Sequence, residues 1–363
     1  MTVKRQVNFE LLRIVAIGMI IMVHYMGRGG ILLPYGEDGS ALNHAAWFIE
    51  SFCVESLNCY VLISGYFFID SVWKPKRILS LVAQVLFYSV LIPVAMICIG
   101  MLSISELSIY DWMTFVLPFQ TEHYWFATHY LILYLFAPIL AAGVQVMEKR
   151  TQQIVIFFLL LFFSIGKTVI PFNLVTDTDG YHYGWLLCLF LVAAYIRKFG
   201  FPWLEKGKRS LVLYIGMCIL IWVVSAASGM IERRTGALSH YVEMPYTLNY
   251  FLVFIASLAL FFLFRNLQIN EGMAAFLIRK AEPHTFGVYL LHCHILVQGK
   301  WMYWLGLEKV QRTWLFIPHM IICVLIIYIV GTVVDFVRAY LFAWVGRLID
   351  AHKKIPDKKS DRK

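Results

Sequence analysis

The chain has 363 residues, 60% hydrophobic and only 15% charged, with a net charge of +9 and a mean hydropathy of +0.72. Soluble domains are nearer half apolar and a quarter charged, so this composition excludes an ordinary soluble protein and points to a membrane. The basic residues fall in short gaps between apolar runs. That argues against a nucleic-acid partner and for orientation in a bilayer.

Lys4 and Arg5 precede a first apolar run over 9–27, which mimics a signal peptide. The run is too long for one, contains Arg13, and ends HYMGRGG without a small-residue cleavage site, so a retained first span is expected. Arg13 and His24 lie eleven residues apart in it. On a helix that is roughly 16 Å along the axis, with both side chains on nearly the same face. The hydrocarbon core penalises such groups by at least a few kcal/mol, so a cation and an imidazole on one seam mark a polar path or a site.

The next run, 47–69, carries Glu50, Glu55 and Asn58. Running back across the bilayer, it brackets the depth of His24 between the two glutamates. A carboxylate that accepts the imidazole's other N–H fixes its tautomer and makes it a better base. The plainer alternative is a buried His–Glu pair that holds helices together. Ser64 and Gly65 in the same run let helices approach closely. Ser64 lies too far below His24 to be activated as a nucleophile.

Further spans are expected over 77–102, 124–145, 153–171, 183–198, 210–230, 247–264, 285–305 and 313–344, which gives about ten. The segment DWMTFVLPF (111–119) is too short to cross and reads as interfacial or re-entrant. His123 and His129 bracket the outer end of the fourth span. Lys167 is expected to snorkel to the outer surface. His292 and His294 sit at i and i+2, so a regular helix cannot aim both at one metal. Asp335 and Arg338, at i and i+3, read as a structural ion pair. The cysteines (Cys53, Cys59, Cys98, Cys188, Cys218, Cys293 and Cys323) all lie in apolar runs and read as small core residues, not a disulfide framework. No HExxH, CxxC, P-loop or dinucleotide glycine pattern occurs, so no metal is expected and a nucleotide-driven pump is disfavoured.

If the spans alternate, the Lys/Arg-rich gaps at 4–5, 74–77, 149–150, 197–209 and 265–280 and the tail from 347 share one side, which is then cytoplasmic. The expected fold is an all-α polytopic integral membrane helical bundle of about ten transmembrane helices in the cell membrane, both termini cytoplasmic. Residues 1–345 form the membrane domain and 346–363 a basic cytoplasmic tail able to touch anionic lipid.

At these residues the chain resembles the acyltransferase type 3 family of integral membrane acyltransferases, over nearly all ten runs. Four motifs carry the likeness. An Arg and a His separated by ten residues in the first span match Arg13 and His24. A Ser-Gly-Tyr motif in the second matches Ser64, Gly65 and Tyr66 in YVLISGYFF. HYWFATHYLILYLFAP is similar to the family's His-x-Trp-Phe start with a later Tyr and Pro, here His123, Trp125, Tyr134 and Pro138. TFGVYLLHCHI is similar to Gly-Val-Tyr-x-x-His, with His292 as the matching histidine. One departure stands out. Many members carry Asp six residues before the span-2 Ser, where this chain has Asn58. An amide cannot stabilise an imidazolium as a carboxylate does; either Glu55, one turn away, takes that role, or the branch differs in function.

The resemblance implies transfer of an acyl group, usually acetyl, from cytoplasmic acyl-CoA to a hydroxyl on an extracytoplasmic glycan or envelope precursor. On that reading His24 removes the hydroxyl proton or briefly carries the acyl group, Arg13 holds the donor, and Glu55 supports His24. Asn58, Ser64, Tyr66, His123, Trp125, His129 and His292 are the substrate-binding candidates. Acetyl-CoA is the expected donor, its phosphates docked on Lys74, Lys76, Arg77, Lys149 and Arg150. The span-2 pattern also resembles a sub-branch that includes capsule O-acetyltransferases and serine-uptake domains. A permease, for example for serine, is therefore the alternative.

Overall fold

A computed structural model describes residues 6–35, 37–172 and 178–353, the last three by backbone alone. Lys4, Arg5 and the tail beyond 353 lie outside the described residues. All regular structure among the described residues is helical. In chain order the helices are α1 (Val7–Arg28), α2 (Ala41–Glu50), α3 (Ser56–Phe68), α4 (Pro75–Cys98), α5 (Ile109–Val116), α6 (Trp125–Val146), α7 (Lys149–Leu160) and α8 (Gly166–Val169). They continue as α9 (Tyr183–Phe199), α10 (Gly207–Thr235), α11 (His240–Glu243), α12 (Phe251–Arg265), α13 (Met273–Ala281), α14 (Thr285–His292), α15 (Trp301–Trp304) and α16 (Phe316–Lys353).

Among the described residues, seven helical stretches are long and apolar enough to cross a membrane: α1, α4, α6, 149–169, α10, 240–265 and α16. The other three expected runs take shorter forms. The run 47–69 is two helices, α2 and α3, separated by turns over 51–55. The run 183–198 is the 17-residue α9. The run 285–305 breaks after His292. The short α5 is capped at both Ser108 and Asp111 and carries exposed Ile109, Tyr110 and Met113, as an interfacial helix does. The last helix runs on to Lys353.

The break in the run 285–305 has an identifiable cause. His294 Nδ1 accepts the Leu296 N–H at 3.1 Å and His123 Nε2 lies 3.4 Å from the Ile295 N–H. Two imidazoles thus take amides that would otherwise seek carbonyls one turn back, and the chain leaves the helix.

α1 is the hub of the bundle and packs on α3, α12, α13, α14 and α16. Its Leu12, Ala16, Ile17, Ile21 and Tyr25 are buried. The outside of the bundle is apolar: α16 alone presents Ile321, Ile322, Leu325, Ile329, Val333 and Phe336. Such a surface suits lipid and not water, since hydrocarbon leaves only the backbone to be satisfied internally. Gly65 sets one close crossing. A Cβ there would lie 2.7 Å from the Phe190 carbonyl oxygen and 2.8 Å from its Cα, so glycine is what lets α3 cross α9.

Asp335 is fully buried and gathers Arg338 (2.7 and 3.0 Å), His284 (2.7 Å), Gln84 (2.9 Å) and Tyr88 (3.1 Å). The expected ion pair is therefore the centre of a network joining α4, α16 and the turn before α14. Lys167 departs from expectation. It is buried, with Nζ 2.5 Å from Asp179 Oδ1, so the carboxylate holds it inside the protein. All seven cysteines are free, and Cys98 alone of them is exposed.

Candidate active site

Because α1 is the hub, its Arg13 and His24 each meet a partner from a distant part of the chain. Arg13 pairs with Glu282 at 2.8 Å. His24 meets His292, with His24 Nδ1 and His292 Nε2 3.1 Å apart. The hydrogen bonding of two neutral imidazoles here allows one arrangement. His292 Nδ1 lies 2.7 Å from the Val288 carbonyl, which only accepts, so Nδ1 carries the proton and Nε2 a lone pair. His24 Nδ1 must then donate to that lone pair. His24 Nε2 is left with a free lone pair, which is the form a general base needs. His24 is half-buried while His292 is fully buried, so of the two rings only that of His24 is partly open.

The expected carboxylate partner for His24 is not in place. Glu55 is fully buried, and its Oε1 lies 2.7 Å from the Tyr214 hydroxyl on α10. Asn58 is likewise engaged. Its amide donates to Leu248 O (2.8 Å) and Ser257 Oγ (3.0 Å), and its oxygen accepts from Trp185 Nε1 (3.1 Å). A carboxylate could not make those two donations, which accounts physically for the amide at this position. Glu50 keeps one buried carboxylate oxygen without a partner.

The remaining candidates divide between the two ends of the bundle. At the end where α1 begins, a cavity of about 710 Å³ is lined by Arg13, Ser64, Lys74, Arg77, Tyr130 and Tyr134 among others. Ser64 Oγ lies 3.0 Å from the Tyr130 hydroxyl. Tyr66 is outside this cavity, its ring 4.8 Å from the Arg197 guanidinium and 5.8 Å from that of Arg265. Lys76, Lys149 and Arg150 are not among the lining residues; Lys149 sits 5.7 Å over the Phe199 ring.

At the opposite end, a polar cavity of about 430 Å³ is lined by Lys167, Asp179, Tyr181, Glu232, His240 and neighbours. Trp125 packs edge-on against Tyr181 at 4.8 Å. His129 Nδ1 lies 2.8 Å from the Trp125 carbonyl, a contact internal to α6. His123 is engaged at the helix break described above. Neither cavity includes His24 in its lining. Along the face of α1 between Arg13 and His24 stand Ile17 and Ile20, so the seam is polar at its ends and apolar in its middle.

Three residues at the site are not evident from the sequence. Glu282 lies 269 positions from its partner Arg13. Cys293 places Sγ 3.4 Å from His292 Nε2 and 3.6 Å from His24 Nδ1. Arg28, one turn beyond His24, is within electrostatic range of His24, His292 and Tyr181. Only Arg28 carried a local signal, an i,i+4 spacing from His24 on the same helix face.

A family model described as an acyltransferase domain matches residues 6–335. The chain belongs to the acyltransferase type 3 family. As a member it is an acyltransferase, and its apolar helices make it a multi-pass membrane protein. No curated protein and no solved structure matches it. The match lends no support to the transport reading.

Proposed function

We propose that this acyltransferase takes an acyl group, most simply acetyl, from cytoplasmic acyl-CoA. It passes the group to a hydroxyl of a glycan or related envelope precursor on the other side of the cell membrane. The observation that carries the reading is the His24–His292 pair. It leaves one imidazole nitrogen bare of a proton at a half-buried position, on the same helix as an arginine that lines a cavity. General-base assistance of this kind contributes about 10²–10⁴-fold to a rate.

The larger cavity suits the donor. Lys74 and Arg77 at its rim and Arg13 deeper in offer cations for phosphate oxygens. Asp70, which also lines it, is paired with Arg197 at 2.6 Å, so its charge is partly offset. The clustering of Lys and Arg in the gaps on this side supports a cytoplasmic position for this end, where acyl-CoA is. The smaller cavity, polar and lined by Tyr181, against which Trp125 packs, suits a hydroxylated acceptor at the opposite face. His24 Nε2 takes the hydroxyl proton as the oxygen attacks the thioester carbonyl. His24 then returns the proton to the departing thiolate. Arg28, within electrostatic range of His24, would stabilise the negative charge that develops on the carbonyl oxygen. Ile17 and Ile20 must part, or be passed, for the thioester to reach His24.

Membranes containing the protein should release free CoA from acetyl-CoA when acceptor is present. The envelope glycan of cells expressing it should gain alkali-labile acetyl esters. His24→Ala should abolish both at unchanged protein level. Full activity in that variant removes His24 from the chemistry, and an ester content that does not depend on the protein removes the reading altogether.

A further inference from the structure

The proposed reaction uses His24 Nε2 and leaves the thiol of Cys293 without a role. Cys293 Sγ, His24 Nδ1 and His292 Nε2 form a triangle with edges of 3.1, 3.4 and 3.6 Å. Tetrahedral zinc, with Zn–N of about 2.0–2.1 Å and Zn–S of about 2.3 Å, holds its ligands about 3.4 Å apart for N–N and about 3.6 Å apart for N–S. Each edge of the triangle falls within about 0.3 Å of these values. One ion seated over its face reaches all three atoms without movement of a helix. Two imidazoles and a thiolate are also the donor set that selects zinc over magnesium or calcium. His292 already has the orienting contact common to metal-bound histidines, its Nδ1–H donating to the Val288 carbonyl. His24 keeps part of its surface exposed.

We propose that His24, His292 and Cys293 form a Zn²⁺ site that switches acyl transfer off when filled. The consequence for activity rests on the reading of His24 as the base; the binding itself does not. Filling the site requires two proton changes. The Cys293 thiol releases its proton to solvent, and the proton on His24 Nδ1 is replaced by one on Nε2. The ion then takes the lone pairs of Nδ1, His292 Nε2 and the thiolate, with water fourth. His24 Nε2 now carries a proton and can no longer accept one from a hydroxyl. Arg28, within electrostatic range of Cys293, opposes a dication, and the thiolate charge offsets that repulsion.

The test uses the full chain, purified in detergent and stripped with a chelator. Zn²⁺ is titrated in competition with a chromophoric chelator. The titration is repeated with Co²⁺, whose thiolate charge-transfer band reports sulfur ligation. One ion per chain and a Co²⁺–thiolate band are expected. Losing even a second-shell partner costs about 10–100-fold in metal affinity, so Cys293→Ser and His292→Ala should each lose at least about tenfold. Cys98→Ser, which removes the exposed thiol, should lose nothing. No Co²⁺–thiolate band in the native chain, or one that persists in Cys293→Ser, overturns the site; the native spectrum stands even where a variant fails to fold. Acyl transfer is then measured with Zn²⁺ added and removed. Inhibition reversed by chelator, and weaker relative to its own uninhibited rate in Cys293→Ser, is the expected result. Bound metal with unchanged or raised transfer overturns the switch. No transfer under any condition overturns the reading of His24 and leaves the binding result standing.

Discussion

Replacing His292 by Leu or by Gln separates orientation from bulk. His292 is fully buried, and its Nε2 accepts the Nδ1–H of His24 at 3.1 Å. Leu keeps apolar volume but offers no acceptor, so His24 can rotate or carry its proton on the wrong nitrogen. Gln reaches about as far and presents an oxygen that accepts the same N–H. The base term at stake is about 10²–10⁴-fold, and a free imidazole still holds the correct tautomer part of the time. His292→Leu should therefore lower kcat by about 10²-fold, and His292→Gln by no more than about tenfold. KM for acetyl-CoA should hold in both, because the donor cavity lies near Arg13, about 16 Å along α1 from His24. The assay is initial-rate CoA release from purified protein at saturating acceptor, with thermal melts to show that each variant folds. A folded His292→Leu protein within about threefold of the native kcat would refute the two-ring arrangement.

Four further outcomes follow from the structure. Charge reversal at the donor cavity, Lys74→Glu or Arg77→Glu, should raise KM for acetyl-CoA at least about tenfold and weaken its salt dependence, whereas Lys149→Glu and Arg150→Glu, outside the cavity, should leave KM unchanged. Arg13→Ala removes the 2.8 Å ion pair with Glu282 and should lower stability by about 1–3 kcal/mol, read as a fall in melting temperature, and should also raise KM for the donor. Asp335→Ala strands Arg338 in a buried site and should lower stability by about 3–5 kcal/mol, with unfolding in detergent as the readout. Gly287→Ala drives a Cβ into the Asp335 side chain and should destabilise by at least about 1 kcal/mol; a native melting temperature would contradict the close α14–α16 contact.

Much of the helical fold was legible because long apolar runs have few alternatives in a bilayer. The eleven-residue spacing of Arg13 and His24 also fixed their common face. What the sequence hides are the interruptions. The stop at His292 is only half local: His294 takes the Leu296 amide, but the Ile295 amide meets His123, 172 residues away. The same distance problem conceals both site partners. Sequence-adjacent spans made Glu55 the natural neighbour for His24, yet Glu55 faces Tyr214 on α10 and His292 arrives from the other end of the chain. Depth along a helix can be counted from residues; azimuth between helices cannot. The amide at Asn58, a departure at sequence level, becomes explicable only once Leu248 and Ser257 are seen to need its two donors. The basic gaps show the same division: all five candidate cations have the right sign, but only Lys74 and Arg77 line the cavity.

The account requires that donor and acceptor meet from opposite faces of the membrane, with His24 at the point of transfer. Sealed proteoliposomes with acetyl-CoA confined to the face where α1 begins and acceptor confined to the other test this directly. Native protein should form acetyl ester on the acceptor across the intact bilayer, and His24→Ala should form none. Ester that appears only when both substrates share one face, or that survives in His24→Ala, would contradict it.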